Sequence, residues 1–269
     1  MLEKHYCNNI LKRMNNKISY FYPMILKPQL LNSDEVIAAQ STRLDGVSPE
    51  PFQSLNLGLS VNDDEKNVHK NRELFFGGLD IAPTQLSLTH QVHQNKVQVV
   101  ERPGRTEGYD AQITNRRGIF LAVSIADCVP VLIYDERNDA VAAIHAGWRG
   151  TTMGVVTNAL KQMKRVYGTH GRFCKAFIGA SISFDEFEVG EEVAVNFENS
   201  FKRFDEEKKK WFVDLKEANR KQLTDFGLGS DQIEVSEYCT VKNNDLFFSH
   251  RKEKGKTGRM MAVIGMRVD

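Results

Sequence analysis

Residues 118–146 read GIFLAVSIADCVPVLIYDERNDAVAAIHA, and this stretch decides the fold class. It contains three short apolar runs rich in β-branched residues: GIFLAVSI (118–125), VPVLIYD (129–135) and AVAAIHA (140–146). Runs this short, bounded by turn-forming residues, read as buried strands rather than helices. The polar ERND predicts that the second and third form a hairpin, and the close spacing predicts that all three are adjacent strands.

Outward from this core, GWRGT turns the chain into TMGVVTNALKQMKRVYG (152–168). There Val155, Val156, Ala159, Met163 and Val166 recur at helical spacing, and Gly168 supplies a stop. KAFIGA (175–180) and MMAVIGM (260–266) predict further strands; EEVAVNFENSF (191–201) and LKEANRKQLTDFG (215–227) predict helices. An earlier helix is expected from about Glu65 to Leu79. Together these elements predict an α/β class: a single domain with a mixed, largely antiparallel sheet and flanking helices. The charged run FKRFDEEKKKW (201–211) reads as a solvated segment, and no repeat or flexible linker divides the chain. Residues 24–269 are therefore expected to form the domain. Residues 1–23 are read as a frayed extension, with Met24 as an alternative start.

At 269 residues and 41% hydrophobic content, the chain can bury a full core without staples. Thirty-six basic and 35 acidic side chains leave a net charge of +1, so the basic excess typical of nucleic-acid binders is missing. The cysteines Cys7, Cys128, Cys174 and Cys239 are scattered, which fits a reduced cytoplasmic protein. No stretch reads as a signal peptide or a membrane span.

Several residues carry candidate chemistry. His145 ends an apolar strand just before Gly147-Trp148-Arg149-Gly150, where α/β proteins place reactive groups. Cys128 lies between two strands, and Pro130 after it suggests an edge strand or a first-residue position. Asp127 puts a carboxylate at the mouth of the same run. His93 falls in LTHQVHQNKVQVV, read as a partly buried strand or strand–turn. Each also has a bland reading, as a small core cysteine or a hydrogen-bonded histidine. If the three converge, one thiolate and two imidazoles suit zinc and leave a fourth position open. Arg72 lies on the apolar stripe of Val68, Phe75 and Leu79, either as half of a structural ion pair or as an anion-binding residue.

ADCVPVLIYD followed by AVAAIHAGWRGT resembles the YfiH/YlmD-like family, formerly labelled multicopper polyphenol oxidases or laccases. STRLDGVS (41–48), PFQSLNLGLSVNDD (51–64), VHKNR (68–72), QVHQNKV (91–97), YDAQIT (109–114), FEVGEEV (187–193) and FFSHRKEKGKTGR (247–259) agree in order. The resemblance implies a zinc site of His93, Cys128 and His145. It also implies phosphorolysis of adenosine, inosine or methylthioadenosine, adenosine deamination, and a fold similar to that of cysteine-hydrolase toxins. The chain departs from the pattern at Asp45-Gly46, at Gln94 after QVH, and in GASISFDEFEVG (179–190), changes expected to reshape the pocket wall.

Phosphorolysis needs phosphate held against the ribose, a task suited to the planar arginine fork. Arg72, Arg43 and Arg149 are the candidates, the last two doubling as candidate ion-pair formers, and Asp127 is the candidate acid/base group. Two other functions compete: a cysteine hydrolase or amidase using Cys128 and His145, and a non-enzymatic metal-binding protein. Seven scattered histidines with no HxH pair argue against a multicopper site.

Overall fold

The computed structural model describes residues 12–14, 17–19, 25–31 and 33–268. The expectation of a frayed extension over 1–23, and of a start at Met24, lies outside these residues, apart from a short antiparallel pair, Lys12–Met14 with Lys17–Ser19.

Two six-stranded sheets make the framework. The first runs, in spatial order, Ile25–Leu26, Val36–Ser41, Met260–Met266, Phe120–Ile125, Leu86–His90 and Gly104–Glu107. The second runs Ile233–Val235, Cys174–Ile178, Val129–Asp135, Ala140–Ala146, Ala111–Thr114 and Val97–Val99. In the first sheet the three pairs from Ile25–Leu26 to Phe120–Ile125 are antiparallel and the last two are parallel; in the second the three inner pairs are antiparallel and the two end pairs parallel. The class is α/β, as the sequence predicts.

Strand alternation explains the stacking. Leu121, Val123 and Ile125 of the first sheet pack against Leu132, Val141 and Ala143 of the second. The opposite faces meet helices. Helix α1 (Glu65–Gly77) lays Phe75 and Phe76 on Ala39, Phe120 and Val263 of the first sheet. Beyond the short α2 (Trp148–Thr152), α3 (Val155–Tyr167) covers Ile113, Ala142 and Ile144 of the second, beside α5 (Leu215–Phe226), which follows the one-turn α4 (Glu191–Ala194). The result is four layers: helix, sheet, sheet, helices.

Local chemistry sets the helix ends. Asp64 and Asp214 cap α1 and α5 by accepting the amides of Lys66 and Glu217. Gly168 (φ 76°) and Gly227 (φ 106°) end α3 and α5 in the left-handed region open to glycine.

Four expectations need correction. The 118–125 run is not a ladder neighbour of 129–135; residues 126–128 carry the chain to the other sheet, so the two runs meet by stacking. The helix expected over 191–201 stops at Ala194, beyond which the Asn196 amide and the Lys202 ammonium bond the freed carbonyls of Glu192 and Ala194. Pro130 sits in a central strand, as its second residue, where only its carbonyl is needed to accept from Gly179 at 3.0 Å. The apolar stripe of α3 passes through Leu160, and Val166 is exposed.

Candidate functional site

Alternation along Ala140–Ala146 sends Ala142 and Ile144 toward the helices and Val141 and Ala143 toward the first sheet. His145 shares the parity of Val141 and Ala143 and projects from the strand end between the layers. Cys128 lies in the link that joins the sheets. His93 lies in the loop after Leu86–His90, at φ 59°, a left-handed conformation that a non-glycine residue adopts at a cost. One donor atom from each of the three lies within 4.8 Å of the others, and the two imidazole rings meet edge-on with centroids 4.9 Å apart.

One buried carboxylate organises the group. Asp110 accepts the amides of Val92 (3.2 Å), His93 (2.9 Å) and Gln94 (2.8 Å). Successive amides turned onto one anion form a nest that holds the strained loop. Asp110 Oδ1 also lies 2.8 Å from His145 Nδ1. An ionised carboxylate only accepts, so Nδ1 carries a proton, and once the ring gives up its second proton it is Nε2 that offers a lone pair to the cluster. Burial alone would raise the Asp110 pKa, but the His145 ring and the loop amides outweigh it and hold the group ionised.

Thiol and imidazole polarise each other. Burial opposes ionisation of Cys128, yet the charge and hydrogen bonds of His145, with help from His93, bring its pKa down to about 6. Burial likewise opposes charging of His145, which the Cys128 thiolate and Asp110 raise to about 9. The metal-free pair is therefore a thiolate–imidazolium near neutrality. The donor set fits a metal ion: one soft thiolate, two imidazoles, and a carboxylate fixing one ring. The backbone leaves room for it, since a Cβ on Gly147 would sit 3.0 Å from His93 Cδ2 and 3.1 Å from Cys128 Sγ.

The cluster faces a cleft of about 510 Å³ that extends across the first sheet toward α1. Apolar walls come from Trp148, Ile182, Phe187 and Leu215, and the charged lining from Arg72, Arg105, Arg251 and Arg259 with Asp127 as its one acidic residue. Arg72 is half-buried. Its Nε donates to Leu57 O at 2.9 Å, and among the described residues no carboxylate pairs with it, so the ion-pair reading does not apply.

Arg43 and Arg149 do not line the cleft. Arg43 pairs with Glu253 at 3.0 Å, donates to Gln53 and Asn244 carbonyls and stacks on Phe248. Arg149 is exposed and stacks on Trp148. Asp127 accepts the Thr240 hydroxyl at 2.6 Å and the Arg251 amide at 2.8 Å, tethering the loop that brings Arg251 to the cleft. Sequence reasoning missed Asp110 as a functional residue although YDAQIT contains it; a carboxylate directly before an apolar strand was the available signal. It also missed Arg105, Arg251 and Arg259, the last two in FFSHRKEKGKTGR.

A sulfur-and-nitrogen donor cluster at the end of an arginine-lined cleft defines a class of protein that combines a candidate metal centre with a small-molecule site. The family described as multi-copper polyphenol oxidoreductase laccase matches residues 37–267, and the chain belongs to this family, that of YfiH and YlmD. It is 38% identical over 251 residues to "Purine nucleoside phosphorylase YlmD" of Bacillus subtilis, covering 88% of this chain and 90% of that one. It is 34% identical over 247 residues to "Purine nucleoside phosphorylase YfiH" of Escherichia coli, covering 89% and 98%. The crystal structure of YlmD from Geobacillus stearothermophilus superposes with a TM-score of 0.86 at 30% identity, covering 97% of this chain and 100% of that one. These relatives carry enzyme names. No helix among the described residues is long and apolar enough to cross a membrane.

Proposed function

We propose that the protein is a zinc-dependent purine nucleoside phosphorylase acting on adenosine, inosine or methylthioadenosine in the cytoplasm. The observation that carries this reading is the gathering of His93, Cys128 and His145 within 4.8 Å at the end of a cleft whose far wall is cationic. The relatives' names supply the reaction class.

In phosphorolysis an oxygen of hydrogen phosphate bonds to the ribose anomeric carbon as the bond from that carbon to the purine breaks, and the departing base takes up the proton that the phosphate gives up. His93, Cys128 and His145 would hold the zinc, and Asp110 keeps the His145 tautomer that presents Nε2. When bound, the metal supplies a Lewis acid that offsets charge building on the nucleoside or its leaving group. Trp148 and Phe187 offer flat apolar surface to a base. Arg72, with two terminal nitrogens that no carboxylate among the described residues claims, takes the phosphate. Asp127 holds the Arg251 loop against the cleft.

The test is inosine turnover by zinc-loaded protein with and without phosphate. Phosphate-dependent release of ribose 1-phosphate is expected, and His145→Ala should lose metal and turnover together. Full activity in a zinc-free His145→Ala protein would refute the assignment. Adenosine deamination, the second activity in this reading, is scored by ammonia release that needs no phosphate.

One observation favours a second reading. Cys128, His145 and Asp110 form a thiolate, imidazolium and carboxylate in sequence, the arrangement of a cysteine hydrolase. His93 distinguishes the two, because a hydrolase has no use for a third donor against its nucleophile. Alkylation of Cys128 that zinc does not block, with a covalent acyl intermediate, would establish the hydrolase.

A further inference from the structure

The cationic wall of the cleft contains two like charges with no counter-ion. Strands Leu86–His90 and Gly104–Glu107 run parallel with Leu88 beside Arg105, so both side chains leave the sheet on the same face. Leu88 packs on the cluster that includes Phe75 and Phe76 of α1. Arg105 therefore emerges on the side of the sheet that α1 covers, and it lines the cleft together with Arg72. Arg72 is held from behind by Leu57 O, while Arg105 is exposed at the rim. Among the described residues no carboxylate pairs with either. Burial, and then the Arg105 charge, pull the Arg72 pKa down to about 10. Asp127, the acid of the cleft, is occupied by Thr240 and the Arg251 amide. Two guanidinium groups sharing one cleft whose single acid is engaged elsewhere make it favourable ground for an anion.

We infer that Arg72 and Arg105 form a two-armed subsite for a phosphoryl dianion, with the half-buried Arg72 as the anchor and Arg105 as the arm at the entrance. Planar forks approaching from two elements suit the oxygens of a tetrahedral dianion better than a flat carboxylate. The phosphoryl group comes from one of two sources: inorganic phosphate as co-substrate, or the 5′-phosphate of a bound nucleotide. This deepens the phosphorylase reading and rests on it for the first source alone.

The test uses zinc-loaded wild-type protein and Arg105→Gln, a substitution at an exposed rim residue. Inorganic phosphate, inosine and inosine 5′-monophosphate are titrated by calorimetry, and phosphate-dependent turnover of inosine is measured in parallel. Loss of charge-assisted hydrogen bonds should weaken dianion binding roughly tenfold or more, with inosine affinity unchanged. A phosphate KM that rises alone identifies free phosphate as the occupant. A phosphate KM that holds while the preference for inosine 5′-monophosphate over inosine collapses identifies the nucleotide. Dianion affinities equal to wild type in Arg105→Gln, or no dianion binding to wild type at about 10 mM, overturn the subsite. Phosphate bound through Arg105 by a protein that releases no ribose 1-phosphate keeps the subsite and sinks the phosphorylase reading instead.

Discussion

Asp110 holds His145 at two points: its Oδ1 lies 2.8 Å from the ring Nδ1, and its carbonyl accepts the His145 amide at 2.7 Å. The same Oδ1 accepts the His93 amide at 2.9 Å. A single side chain thus fixes the ring of one candidate ligand and the backbone of another.

Asp110→Ala should weaken zinc binding roughly 10- to 100-fold, the usual effect of removing a group that orients a metal ligand. Titration against a competing chelator measures it. Asp110→Asn should recover the loop contacts only in part, because an amide can accept on one atom alone. Wild-type affinity in both variants would show that the carboxylate does not act on the site.

Gly147→Ala should reduce metal affinity while leaving the fold intact. At φ −71° alanine is unstrained, but its Cβ would sit 3.0 Å from His93 and 3.1 Å from Cys128. The readout is zinc stoichiometry set beside the unfolding midpoint of the metal-free protein. A large fall in that midpoint would mean the glycine serves packing instead.

Zinc binding should release protons in a pH-dependent number. Between about pH 6 and about pH 9 the metal-free pair has lost the Cys128 proton and kept the one on His145. Binding there displaces roughly one proton, so affinity rises about tenfold per pH unit. Below about pH 6 the protonated thiol adds a second, and the slope steepens toward about a hundredfold. Calorimetry in buffers of different ionisation enthalpy counts the protons; a pH-independent affinity across this window would contradict the thiolate–imidazolium pair.

Arg43→Ala should destabilise the fold by about 2 kcal/mol or more, since it breaks a largely buried pair with Glu253 and frees two carbonyls. Arg149→Ala, which removes an exposed stacking contact, should change stability by less than about 0.5 kcal/mol. Denaturant unfolding of both variants compares them directly. Equal effects would mean that burial does not separate the two arginines.

Much of this was readable from the chain because it depends on local pattern. Alternation in AVAAIHA fixes which residues face which layer, and hence that His145 opens between them. The hairpin of 129–135 with 140–146 follows from its turn. What escaped depends on long-range closure. Nothing local separates a run that hydrogen-bonds its neighbour from one that stacks on it, so 118–125 was expected in the wrong relationship. The sequence ranks Arg72 above Arg43 for its place on an apolar stripe, yet it leaves an ion pair open for both. They differ because Glu253, some two hundred residues away, neutralises one, and among the described residues no carboxylate reaches the other. Asp110 was hidden for the same reason, because its partners come from two separate segments.

The three candidate ligands are carried by different parts of the framework: His93 on a loop from the first sheet, His145 on a strand of the second, and Cys128 on the link between them. An ion held by all three would act as a rivet through the seam of the molecule. Removing it should loosen one sheet against the other, so that heat resistance follows free zinc concentration by mass action, and any shift between the layers would be felt at once as a stretched coordination bond.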